Sequence, residues 1–116
     1  METREPRALL VLVTAPDLET ARRLAKAALN ERLVACANIA SQVESHYWWQ
    51  NSLESANETP IHFKTMPARV RALERLITEA HPYDVPEFVC LEIQDGSAAY
   101  LEWVNQECSA QSTENQ

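Results

Sequence analysis

Apolar and polar positions fall into blocks whose period changes along the chain. Ala8-Leu9-Leu10-Val11-Leu12-Val13 is a continuous apolar run, the pattern of a strand covered on both faces or central in a sheet. Pro16-Asp17 stops it, and Asp17 is suited to cap a helix. Leu18, Ala21, Leu24, Ala25, Ala28 and Leu29 then recur at helical spacing, with Arg22, Arg23 and Lys26 off the stripe. This spacing predicts a first helix over 18–31. Val34 to Ile39 is a second strand. It continues, past a weak point at Ala40-Ser41, through Val43 to Trp49. Asn51-Ser52 is the expected turn, and Leu53 to Thr65 returns as a third strand interrupted by Pro60.

The second half repeats the order. Val70, Leu73, Leu76, Ile77 and Ala80 mark a second amphipathic helix, with Pro67 tolerated in its first turn. Phe88 to Ile93 is a fourth strand. Asp95-Gly96 makes a turn with the single glycine of the chain. Tyr100, Leu101 and Val104 predict a short third helix capped by Ser97, and Ser109 to Gln116 is a polar tail. The order βαββαβ plus a C-terminal helix is the split βαβ, or ferredoxin-like, arrangement. The predicted class is α+β, an antiparallel sheet with both long helices on one face. One domain spans 1–116, with its core at about 8–106.

Strand two does not fit a lone domain of this kind. Val34 to Trp49 extended would span roughly 50 Å, against a radius of gyration of about 13 Å for a domain of this size. Either the Ser45–Glu58 hairpin projects past the domain, or the strand breaks at Ala40-Ser41 and its aromatics pack at home. Tyr47, Trp48 and Trp49 are consecutive, so a projecting hairpin is apolar on both faces. It then needs a cover, and another copy of the chain is the expected one.

Composition narrows the function classes. A chain of 116 residues supports one core. Its net charge of −7 argues against nucleic-acid and anionic-membrane partners, which select for Lys and Arg. No apolar stretch approaches the length of a membrane span. Met1 to Arg7 is polar, as expected of a chain without a secretory signal. Cys36, Cys90 and Cys108 lack C-x-x-C spacing, which favours reduced thiols in a cytosol.

The segment His81-Pro82-Tyr83-Asp84-Val85-Pro86-Glu87 holds the imidazole of His81, the phenol of Tyr83 and the carboxylates of Asp84 and Glu87 on a turn stiffened by two prolines. Stiff turns with clustered polar groups are common binding sites. Its plainer reading is a helix stop and a lead into the next strand.

Several ordered blocks resemble the CutA family, the small divalent-cation tolerance proteins. They are Val13-Thr14-Ala15-Pro16-Asp17, Glu31 through Ile39, Ser45 through Trp49, Phe63-Lys64-Thr65, His81 through Glu87, and Ala99 through Trp103. The resemblance implies a ferredoxin-like protomer in a tight homotrimer, similar to the PII signalling proteins, with small ligands held between subunits. It also implies a cytoplasmic protein linked to metal tolerance and Cu(II). The expected site is therefore an inter-subunit cleft. His81, Tyr83 and Glu87 come from the turn of one chain, and Tyr47, Trp48 and Lys64 from the hairpin of a neighbour. The alternative is a structural or partner-docking trimer with no metal site, in which Tyr83 is only an interface anchor.

The metal expectation is modest. Some family members place a cysteine where this chain has Val13 and a histidine pair where it has Ala80-His81. Of those positions only His81 is a ligand. Imidazole suits Cu(II), but one histidine makes a weak site; His46 and His62 sit apart on the hairpin strands. An enzyme is not expected. A Cys–His nucleophile would need Cys36, Cys90 or Cys108 beside His81, with Asn38 or Asp84 to orient it, and a single glycine leaves no Gly-rich phosphate loop.

Overall fold

The computed structural model describes residues 6–110; the polar tail beyond Ala110 lies outside them. Along the chain run β1 (Leu9–Ala15), α1 (Leu18–Asn30), β2 (Cys36–Ile39), β3 (Val43–Trp49), β4 (Ser52–Thr65), α2 (Pro67–Ala80), β5 (Val89–Glu92) and α3 (Ala98–Ser109). The expected signals set these boundaries. The Asp17 carboxylate accepts the Thr20 amide at 2.7 Å, and this hydrogen bond holds its carboxyl below the usual range. Pro67 occupies the first turn of α2, where its missing N–H costs nothing. The Ser97 hydroxyl accepts the Tyr100 amide to start α3. The third helix is longer than its three apolar positions suggested.

The sheet order is β2-β4-β1-β5, with β3 paired to β4 and every pair antiparallel. This is the α+β ferredoxin-like arrangement expected. One face of the sheet is closed. Val11, Val13, Ala15, Ile61 and Phe63 pack under Ala21, Leu24 and Ala28 of α1 and Val70, Leu73 and Ile77 of α2. The opposite face is open. Leu10 pairs with Leu91 and Leu12 with Val89, and Val89 and Leu91 are exposed. The largely apolar β1 is thus covered by this chain on one side only.

Strand two divides, as one of the two readings allowed, but it also projects. Ala40 N–H still donates to the Pro60 carbonyl, in register with Ile39 opposite Ile61. Three residues later Val43 lies opposite Glu58. Ser41 and Gln42 therefore face the single residue Thr59, which is a β-bulge. Pro60 explains its position. In an antiparallel ladder the N–H and C=O of one residue point to the same neighbour, so the missing donor of Pro60 faces strand two where pairing lapses. The sequence led to an interruption of the third strand at Pro60. Instead β4 is central and unbroken, and the distortion falls in the strand opposite.

The two-residue connection Gln50-Asn51 has φ of 49° and 65°, a left-handed pair matching the type I′ hairpin turn, one residue earlier than the expected turn. The hairpin extends the molecule to 49 Å along its longest axis, with a radius of gyration of 15.4 Å where about 13 Å is usual.

Phe63 is fully buried between the sheet and the helices. Phe63→Ala should cost about 3–5 kcal/mol, read as a lower midpoint in urea unfolding. An unchanged midpoint would show that Phe63 does not close the core.

Candidate functional site

The bulge sets which side chains share a face. Before it, even-numbered residues of strand two oppose even residues of β4, as Cys36 does Lys64. After it, odd residues of β3 oppose even residues of β4, as Tyr47 does Glu54 and Trp49 does Ser52. Residues directly opposite lie on one face, so Tyr47 and Trp49 join Glu54 and Glu58. Trp48 goes with Leu53 to the other face, and both are strongly exposed, at 72% and 65%.

The Pro82–Glu87 turn lies over this hairpin face and encloses a cleft of about 730 Å³. Its walls are Tyr47, Trp49, Glu54 and Glu58 from the hairpin, Tyr83, Asp84 and Glu87 from the turn, and Thr14 at the end of β1. The Tyr83 hydroxyl donates to Glu58 Oε2 at 3.0 Å. Burial first, and then this bond to a carboxylate, push the phenol up to about 12, so it remains a donor through the neutral range.

His81 lies beneath Tyr83, their ring centroids 4.7 Å apart, and is buried. Its backbone N–H closes α2 on the Ile77 carbonyl. Its Nε2 is 2.7 Å from the Thr14 carbonyl, and its Nδ1 accepts the Tyr83 amide at 3.1 Å. A carbonyl can only accept, so Nε2 carries the proton and the ring is in one neutral tautomer. Both nitrogens are engaged in holding the turn to β1. Among the described residues, no group of three or more His, Cys, Asp or Glu could hold a metal ion.

Of the six residues expected at the cleft, Tyr47, Tyr83 and Glu87 line it and His81 supports it. Two do not reach it. Trp48 points to the opposite face, because the bulge reverses the alternation. Lys64 lies six residues from Glu58, about 20 Å along the strand; its ammonium binds Asn38 Oδ1 at 2.8 Å and lies 5.8 Å from the Tyr100 ring centroid. The turn and hairpin that meet belong to one chain, whereas the expected cleft joined two. Glu54, Glu58 and Trp49 were missed. Pro60 was the one available signal, and its place in the third strand did not say that the opposite strand would shift. Cys36 neighbours Tyr100 and Asn38, at 3.7 and 3.9 Å, away from His81.

The family model for the CutA1 divalent ion tolerance protein matches residues 9–107. The chain belongs to the CutA1 divalent ion tolerance family. It is 39% identical over 98 residues to the divalent-cation tolerance protein CutA of Yersinia pestis (strain Pestoides F), covering 84% of this chain and 82% of that one. It is 38% identical over 96 residues to the chloroplastic protein CutA 1 of Oryza sativa subsp. japonica. There it covers 83% of this chain but spans only 54% of the rice protein's length. Among solved structures, CutA1 from Shewanella sp. SIB1 superposes with a TM-score of 0.87 at 36% identity, over 92% of this chain and all of that one. This CutA1 chain therefore has the fold its ordered blocks suggested.

Tyr83→Phe should remove the Glu58 bond and cost about 1–3 kcal/mol, since it leaves a buried acceptor short of a donor. Because the phenol is raised in the folded state, its stabilising effect is complete below about pH 10 and lost as pH climbs toward about 12. Alkaline unfolding of wild type beside Tyr83→Phe checks this. If the difference between them persists undiminished above that window, the Glu58 bond is not its source.

Proposed function

We propose that this chain is a homotrimeric, non-catalytic binding protein of the cytoplasm, similar to the PII signalling proteins. It serves divalent-cation tolerance, copper included, through ligand clefts completed at subunit contacts. The carrying observation is the uncovered apolar surface. The open sheet face displays Val89 and Leu91 beside Leu10 and Leu12, and the outer hairpin face displays Trp48 and Leu53. Surfaces of this kind in a small acidic chain need a partner, and a second and third copy supply one without another gene product. The cleft lies on the same side as the open sheet face, so assembly would build its outer wall. Non-catalytic binding is supported by the separation of Cys36 from His81, each with neighbours of its own.

One observation favours the second reading, a structural or partner-docking trimer. Copper must displace the Tyr83 amide or the Thr14 carbonyl to reach His81. Direct Cu(II) binding at His81 is accordingly weak, and metal tolerance then runs through another ligand or a partner.

Size exclusion with light scattering should give three times the 13.2 kDa chain mass. Trp48→Ala should shift it toward smaller species, because a truncated interface aromatic costs roughly 3–5 kcal/mol. A clean monomer at micromolar concentration would sink the trimer.

Calorimetry with Cu(II) near neutral pH should show weak binding that Ala substitution at His81 abolishes, with circular dichroism confirming that the variant folds. Tight binding retained by His81→Ala would mean that the ligands lie elsewhere.

A further inference from the structure

We infer that the cleft binds a small organic cation, a molecule bearing a protonated amine or a quaternary ammonium group. This rests on the reading of the cleft as a ligand site and names the chemistry of its occupant.

Glu58 carries the argument. It forms part of the cleft wall on a residue only 8% exposed. The Tyr83 hydroxyl that bonds it brings no positive charge. Among the described residues, no Lys, Arg or His forms an ion pair with it. A carboxylate withdrawn from water is costly unless a cation compensates it. The chain builds the anionic wall and leaves the counter-charge to whatever enters.

The other walls select the kind of cation. Tyr47, Trp49 and Tyr83 offer aromatic rings, whose faces attract ammonium groups. Glu54 and Glu87 add negative potential; neither Lys nor Arg lines the cleft, and His46, which does, has its Nε2 2.7 Å from Glu44 rather than Glu58. A compact divalent ion needs several oxygens or imidazoles converging on one point, and among the described residues no such group exists. Here the carboxylates are spread around about 730 Å³, within the usual range of about 300–1,000 Å³ for small-molecule pockets. Dispersed charge with aromatic walls suits a cation of molecular size.

The test titrates the full chain at low salt with putrescine, tetramethylammonium and, as an anionic control, glutarate. Tryptophan fluorescence and calorimetry are the readouts, with Glu58→Gln and Glu54→Gln beside wild type. Both cations should release heat and change the fluorescence, and glutarate should do neither. Glu58→Gln keeps the shape and removes the charge, so affinity should fall roughly ten- to a hundredfold, with the oligomer mass unchanged. Glu54→Gln, at an exposed position, should cause a smaller loss. Silence from both cations in an intact oligomer overturns the inference and leaves the assembly standing. Binding of glutarate instead overturns it while preserving the cleft as a ligand site. Cation affinity unmoved by either Gln variant overturns it too. A Glu58→Gln protein whose mass changes assigns the missing charge to a neighbouring copy, and the inference falls.

Discussion

The absent N–H of Pro60 shapes the outer half of this molecule. β4 is the longest strand, paired at its base with β1 and β2 and at its tip with β3. At Pro60 the ladder toward strand two loses a donor, and one extra residue accumulates opposite Thr59. Because side chains alternate with period two, that single residue exchanges the two faces of everything beyond it. Tyr47 and Trp49 come to lie with Glu54 and Glu58 under the proline-stiffened turn, and Trp48 is turned away. The chemistry of the cleft follows from a backbone defect.

The two faces of the sheet have different roles. Helices α1 and α2 close one over a packed core. The other stays apolar without a cover from its own chain, which explains why β1 is hydrophobic at every position between Leu9 and Val13 though only half of them meet the core. A strand with one wet face would alternate. The run is apolar towards both faces of the sheet, and this chain covers one of them.

Much of the fold was legible in the sequence, since capping and periodicity act locally. Asp17 and Ser97 mark helix starts through bonds made within one turn, and Pro67 through its fixed φ and missing N–H. Gln50-Asn51 supplies the left-handed turn despite lacking glycine. The site was less legible. Tyr83, Glu87 and Tyr47, which the structure brings to one cleft, stand out in the sequence as parts of a stiff turn and an aromatic run. Trp48 lies off the cleft because its direction depends on register, a property of two strands together, and Lys64 because it sits too far along β4. Glu58 was missed because a glutamate within a strand ordinarily faces water; only the turn folding over it buries it. His81 was recognised as special, but its two hydrogen bonds give it a structural duty that residue type alone does not reveal.

The hairpin also has a consequence for how the chain reaches its native state. β3 and β4 are joined by two residues, and such hairpins form within about 1–10 μs. The pairing of Leu9 with Thr65 must wait for a far larger loop to close, and distant contacts form slowly. Trp48 and Leu53 are therefore on display before there is a core to anchor them. During that interval the same adhesive surface is presented by every nascent molecule, so dilution during refolding should govern the yield as strongly as temperature does.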